Sequence, residues 1–216
     1  LSAVEAAEAR LWLLGAEESG RSRARGLARR AEGLVDPDGD AAALLADALE
    51  AARALPGPGW ATRLGGDAPK GAVEHFLVKV RQQILARGLE VEARPAEPEL
   101  LDAARAVAAA LTDIVEPLKL YAAAVARRLD SDAETLDTAL RTRIESVVRS
   151  IERRAVGPLS VWKAMAEGLG DDVPPEFVEW LSLERVEGRE VDVGLHRHWI
   201  DPTRPFAATV ARRAHG

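Results

Sequence analysis

An arginine-rich segment near the start of the chain is the clearest concentration of residues that could do chemistry. Its ten residues contain five arginines and no acidic residue, namely Arg21, Arg23, Arg25, Arg29 and Arg30. On an α-helix the first, third and fourth of these form one row and the other two form a second row. Each guanidinium carries a planar fork of donors that fits a phosphate group. The segment therefore predicts a surface that binds phosphates.

The next stretch of the chain supports a second interpretation of these arginines. Residues 32–50 contain six acidic residues and no basic residue. A neighbouring acidic helix would balance the arginines through surface ion pairs, each worth about 0–1 kcal/mol. The sequence leaves both interpretations open, nucleic-acid contact on one side and a charge-balanced helical surface on the other.

Two histidines near the end of the chain form the next candidate site. His196 and His198 are separated by one residue, so on a β-strand their side chains point to the same face. A metal-dependent hydrolase could present two ligands in this way, and Asp201 and His215 are the candidates for the further ligands that zinc requires. The spacing also fits a partly buried polar pair on a sheet face, and we favour that interpretation.

The composition excludes several classes of site and of protein. The 216 residues include no cysteine, which excludes disulfides, a zinc ribbon, a thiol nucleophile and an iron–sulfur cluster held by this chain. No phosphate-binding loop, dinucleotide-binding motif, nucleophile elbow or HExxH motif is present. No apolar run is long enough for a transmembrane helix, and the first residues do not resemble a signal peptide. We expect no catalytic residue, no metal and no membrane contact in this chain.

Apolar residues recur with helical spacing over the first three quarters of the chain, which predicts a mainly α fold. Capping boxes at Ser2-x-x-Glu5 and Ser131-x-x-Glu134 mark two helix starts. Asp40 is predicted to cap a further helix.

Glycine and proline divide this helical part. The arginine-rich segment falls in a helix predicted over about 19–34. Pro117 is expected to kink the longest helix, and Gly157-Pro158 to separate the last two. A weak alternation over 89–94 is typical of a short strand.

The last quarter has a different pattern. Residues 177–186 are rich in aromatic and aliphatic residues, and apolar and polar residues alternate over 189–200. Glu187-Gly188 between them is typical of a turn, which predicts a β-hairpin. A short helix is expected after Pro205. For most of the five tryptophans we favour core packing over stacking on nucleic-acid bases, and Trp60 is expected to be the most exposed.

The C-terminal stretch PEFVEWLSLERVEGREVDVGLHRHWIDPTRPFAATVARRAHG, residues 175–216, resembles a segment of bacterial DinG-type DNA helicases, in the XPD/DinG group of helicase superfamily two. Upstream, WLLGAEESGRSRARGLARRAEGL and LPGPGW resemble the helical insertion that follows the DEAH box in these proteins. In the family, the C-terminal segment leads into the TSATL-type motif.

The resemblance implies that the chain is an internal part of a cytoplasmic, ATP-dependent DNA helicase of repair or replication, which moves 5′ to 3′ on single-stranded DNA. ATP and Mg would be bound by the parent protein, and an iron–sulfur cluster would lie outside this segment. The Walker A lysine, the DEAH acids and the arginine finger also belong to other parts of the family's chain. No catalytic residue is therefore transferred to this sequence.

These considerations predict two domains. Residues 1–173 are expected to be a helical, arch-like insertion, and residues 174–216 a β-hairpin that returns to the first motor domain. The insertion would guide or enclose single-stranded DNA next to the rest of the motor. The expected DNA contacts are first the five arginines of 21–30 and then, on the hairpin, His196, Arg197 and His198.

Two other expectations complete the sequence analysis. The alternative function is an acidic helical module that binds a protein partner and does not bind DNA. Phe177, Leu181 and Leu183 are expected to be exposed where the motor is absent, and such an apolar patch favours self-association.

Overall fold

The structure, a computed structural model, describes residues 1–16, 26–65 and 68–207. The predicted mainly α class is confirmed, because helices dominate and are accompanied by a small antiparallel sheet. The described helices are α1 (Ala3–Leu14), α2 (Leu27–Ala31), α3 (Asp40–Ala51), α4 (Trp60–Leu64), α5 (Gly71–Leu85), α6 (Pro98–Ser131), α7 (Thr138–Ile151), α8 (Gly157–Glu167) and α9 (Thr203–Phe206). The strands are β1 (Glu90–Glu92), β2 (Phe177–Val186) and β3 (Arg189–Trp199). None of the described helices is long and apolar enough to cross a membrane.

The long helix α6 is the centre of the helical part. It contacts α3, α5, α7 and α8, and one side of it is buried along its length. The buried residues include Leu100, Val107, Leu111, Ile114, Leu118, Tyr121 and Val125. The helix continues through Pro117 without a break. Its apolar side therefore organises the packing of four other helices.

The predicted separation at Gly157-Pro158 is wrong. A π turn, Glu152–Val156, joins α7 directly to α8. The Gly157 amide donates to the carbonyl of Glu152, five residues earlier. This wider turn lets Pro158 enter the first turn of α8, where its missing N–H is tolerated.

Two predicted helix starts are also wrong. Ser131 is the last residue of α6, and α7 is capped by Asp137, whose carboxylate accepts a hydrogen bond of 2.7 Å from the Leu140 amide. A carboxylate at the cap position accepts directly from the backbone amide three residues later, which has no partner within the helix. Similarly, Gly39 is the cap of α3, and Asp40 lies in the first helical turn.

The capping box of α1 is confirmed, since the Ser2 and Glu5 side chains each accept from the other residue's amide. Two of the large apolar residues of this helix do not lie on its buried side. Val4 and Leu11 are 37% and 45% exposed. The buried side is mostly alanine, with Ala3, Ala6, Ala9, Trp12 and Leu13. Small side chains allow α1 to approach its neighbours closely.

The predicted hairpin and short strand are confirmed. The three strands pair antiparallel in the order β1-β2-β3. Glu187 and Gly188, at the turn, have φ values of 51° and 78°. Positive φ at both residues is typical of the turn type whose twist matches that of the two strands it joins. A bulge lies between Glu184 and Arg185.

The sheet shares its apolar core with the helices. Leu181 and Leu183 are buried in that core together with residues of α5, so the expectation that they are exposed is wrong; Phe177 is half-buried. The start of the chain joins the same sheet, because the Leu1 and Leu195 backbones exchange hydrogen bonds of 2.8 and 3.0 Å. The proposed boundary between 173 and 174 stays a prediction.

A buried ion pair fixes α4 against α5. The Glu74 side chain is 1% exposed and accepts from Arg63 at 2.5 and 2.8 Å, and from the Lys70 amide at 2.7 Å. Burial alone raises the pKa of Glu74, but these hydrogen bonds outweigh burial and hold its pKa below the usual value. The region depends on a carboxylate that stays charged inside the protein. The neighbouring Trp60 is half-buried and not exposed as expected.

We predict that Arg63→Ala lowers the free energy of unfolding by about 3–5 kcal/mol, because it leaves a buried, unpaired carboxylate. Arg53→Ala removes an exposed pair with Glu50, and should cost at most about 1 kcal/mol. Urea unfolding followed by circular dichroism compares the two variants. Equal losses of stability would contradict this account of the Arg63–Glu74 pair.

Candidate nucleic-acid interface

The structure places two of the five predicted arginines. Arg29 and Arg30 are exposed on α2, while Arg21, Arg23 and Arg25 lie outside the described residues. Within the described part, the predicted helix extends only over Leu27–Ala31. Leu27 and Ala31 face the core, whereas Ala28 is exposed.

Arginines from other helices hold the end of α2. The Arg143 guanidinium on α7 donates to the carbonyls of Arg30 at 3.1 Å and Glu32 at 2.6 Å. Arg128 on α6 donates to the Leu34 carbonyl at 2.5 Å. Cationic side chains at the end of a helix satisfy its last carbonyls and its dipole. As a consequence, Arg143 lies next to the exposed arginines of α2.

Positive charge continues from Arg143 along α7 and the π turn. Residues 141–154 contain five arginines and two acidic residues, although the whole chain has a net charge of −6. Arg149, Arg153 and Arg154 are exposed. No hydrogen bond or ion pair joins their side chains to any residue that the structure describes. We call the set Arg29, Arg30, Arg143, Arg149, Arg153 and Arg154 the basic surface.

The helix α1 links the two parts of the basic surface. It packs against α2 and also against the π turn. Arg153 and Arg154 of the π turn and the arginines of α2 are therefore carried by elements that contact one common helix. This arrangement can present several guanidinium groups to the phosphates of one strand.

Arg197, a predicted DNA contact, makes its contacts within the protein. It pairs with the carboxylate of Glu179, whose side chain is fully buried, and its guanidinium lies 4.9 Å from the centre of the Phe177 ring. Arg94 pairs with the same carboxylate, and also donates to the Gly168 carbonyl at 2.7 Å. The group ties β2 and β3 to the loops after β1 and α8.

The two histidines lie on one face of the hairpin, around Trp180. The His196 ring stacks on this tryptophan at 5.2 Å, and the His198 ring meets it edge-on at 4.9 Å. His196 Nε2 also lies 2.9 Å from the Ser182 hydroxyl. Burial lowers the pKa of His196. These contacts are those of a packed polar pair.

The metal hypothesis gains no support from the described residues. In ranges 1–16, 26–65 and 68–207, no group of three His, Asp or Glu side chains is placed to hold a metal ion. Asp201 instead accepts from the hydroxyl and the amide of Thr203, and the hydroxyl is the main reason why its pKa is lowered. His215 lies outside the described residues.

Sequence reasoning missed four members of the basic surface, Arg143, Arg149, Arg153 and Arg154. The excess of arginine over acidic residues in 141–154 is a signal that could have found them. That stretch was interpreted by its apolar spacing alone, which predicts the buried side of α7 and says nothing of the opposite side.

Comparisons with protein-family models, curated proteins and solved structures find no match to this chain.

We predict that His196 makes the stability of the protein depend on pH. Because its pKa is lowered in the folded state, the unfolded chain binds the proton more readily, so stability falls as the pH is lowered below about 6.5. His196→Gln should remove this part of the pH dependence. His198→Gln, at an exposed position, should retain it. Urea unfolding between pH 7 and pH 5.5 provides the measurement, and equal pH profiles for wild type and His196→Gln would contradict the prediction.

Proposed function

We propose that this chain is the strand-guiding segment of an ATP-dependent DNA helicase and that the basic surface holds the backbone of single-stranded DNA. One observation carries the proposal. Exposed arginines are concentrated on α2, α7 and the π turn of an acidic chain, and Arg143 joins α7 to the end of α2. Arg29, Arg149, Arg153 and Arg154 have no acidic partner among the described residues.

The charge distribution favours a surface that guides a DNA strand over one that recognises its base sequence. Guanidinium groups bind phosphates without reference to sequence. The acidic remainder of the chain repels DNA, so contact is restricted to the basic surface. Such a surface suits a strand that slides past the protein while a separate motor moves it.

The helicase context rests on the resemblance of residues 175–216 and of the upstream segments to the DinG-type family. In that context ATP and Mg bind to the rest of the motor, and an iron–sulfur cluster, where the parent has one, lies there too. The hairpin would return the chain to the first motor domain. The residues that guide DNA would then be separate from those that hydrolyse ATP.

A specific observation favours the alternative, a protein-binding module. Val178, Trp199 and Ile200, at the open end of the hairpin, are 49%, 40% and 65% exposed. Exposed apolar residues that lie close together are typical of protein–protein contacts. In that function the acidic helices would face a basic partner, and DNA binding would be absent.

A salt titration of DNA binding distinguishes the two functions. For a fluorescent oligo-dT, the double variant Arg149→Glu/Arg153→Glu should bind more weakly, and the slope of log affinity against log salt should fall by about 1.4, since each phosphate contact contributes about 0.7. The control Arg105→Glu/Arg189→Glu changes charge equally at exposed positions outside the basic surface. Binding that is insensitive to salt, or equal losses in both variants, would contradict the proposal.

A further inference from the structure

A groove lies between α1 and α8, at the end of the basic surface. Its volume is about 280 Å³, and its lining includes Glu8, Ala9, Trp12, Arg154, Pro158 and Trp162. Residues 8, 9 and 12 share one face of α1, and residues 154, 158 and 162 follow one another at intervals of about one turn. The π turn and the direct entry into α8 therefore create one wall of this groove.

The walls of the groove suit a flat aromatic group. Trp12 and Trp162 are 9% and 8% exposed, so both rings are held firmly and only a small part of each lines the groove. Ala9 and Pro158 are small and leave the space between them open. Their exposed parts give the groove an apolar wall that a flat group can contact, although neither ring has a full face open for stacking.

The groove also holds one acceptor and one cation that the described residues do not use. Glu5, which also lines it, is committed to the capping box, because it accepts from the Ser2 amide at 3.1 Å. Glu8 is exposed, and its carboxylate has no hydrogen-bond donor within the described part of the chain. The guanidinium of Arg154 likewise has no hydrogen-bond acceptor or ion-pair partner within the described part of the chain. A matching occupant brings donors to Glu8 and an anion to Arg154.

Arg154 belongs to both the groove and the basic surface. A strand with a phosphate bound at Arg154 brings the adjacent base to the mouth of the groove. The carboxylate of Glu8 repels phosphate and accepts only from the hydrogen-bond donors of a base. The two charges would therefore orient a nucleotide in the groove, with its phosphate at Arg154 and its base at Glu8.

We propose that the groove takes one unpaired guanine of the single strand that the basic surface binds, an inference that rests on the proposed function. The base lies against Trp12 and Trp162, and its N1–H and N2 amino groups donate to the Glu8 carboxylate. Guanine presents two adjacent donors on this edge. In adenine and cytosine a ring acceptor lies beside the single amino group, and in thymine two carbonyls flank the single N–H. Base pairing occupies the same edge, so the groove selects single strands.

The test uses the full chain and four oligo-dT probes of equal length, with dG, dA, dC or an abasic site at one central position. The dG probe should bind more tightly than the abasic probe by up to about fivefold, because a partial contact with the indoles gives at most the lower end of the contribution of one stacked base. It should also change tryptophan fluorescence more than the abasic probe does. The dG probe should also bind more tightly than the dA and dC probes, and Glu8→Gln should abolish this preference, because its amide group opposes one of the two guanine donors.

Glu145→Gln is the matched control. Glu145 is an exposed acid on α7, so this variant changes the net charge equally and should keep the preference for dG. If all four probes bind equally while salt and Arg149→Glu/Arg153→Glu still weaken binding, the base site is overturned and the proposed function stands. If no probe binds, both fail. A preference for dG that survives in Glu8→Gln overturns the role of this carboxylate.

Discussion

The donation of the Arg143 guanidinium to the Arg30 and Glu32 carbonyls is the interaction on which the candidate interface depends. The helix α2 has only five residues, too few to be stable alone. Arg143 satisfies its final carbonyls and at the same time fixes α7 beside it. One side chain thus caps a short helix and unites two groups of arginines that are more than a hundred residues apart in the chain.

The π turn between α7 and α8 sets the direction in which the side chains at the end of the basic surface point. An extra residue in a helical turn rotates everything after it by about 100° relative to a regular helix. Here it brings Arg154, Pro158 and Trp162 to the side that faces α1. Without this rotation, the cation and the indole ring would not line a common groove with Glu8 and Trp12. The same turn carries Arg153 on its exposed side.

Local signals in the sequence predicted much of the fold and less of the site. The Ser2–Glu5 capping box and the Glu187-Gly188 turn involve residues close in sequence, so they could be identified directly. Gly157-Pro158 misled because a π turn accommodates the proline, and periodicity does not reveal such a turn. Arg197 was predicted as a DNA contact from its place on the hairpin, and its pairing with Glu179 was not identified because this partner lies on the other strand. The hydrogen bonds of Arg143 to α2 are likewise long-range and leave no pattern in the sequence.

The central claim is that DNA lies on the arginines of α2, α7 and the π turn. Arginine-specific chemical modification with phenylglyoxal, followed by mass spectrometry with and without oligo-dT, tests it residue by residue. The account predicts that bound DNA protects Arg29, Arg149, Arg153 and Arg154, while Arg105 and Arg189 react equally in both samples. Protection of Arg105 or Arg189 instead, or no protection of the basic surface at saturating oligo-dT, would contradict it.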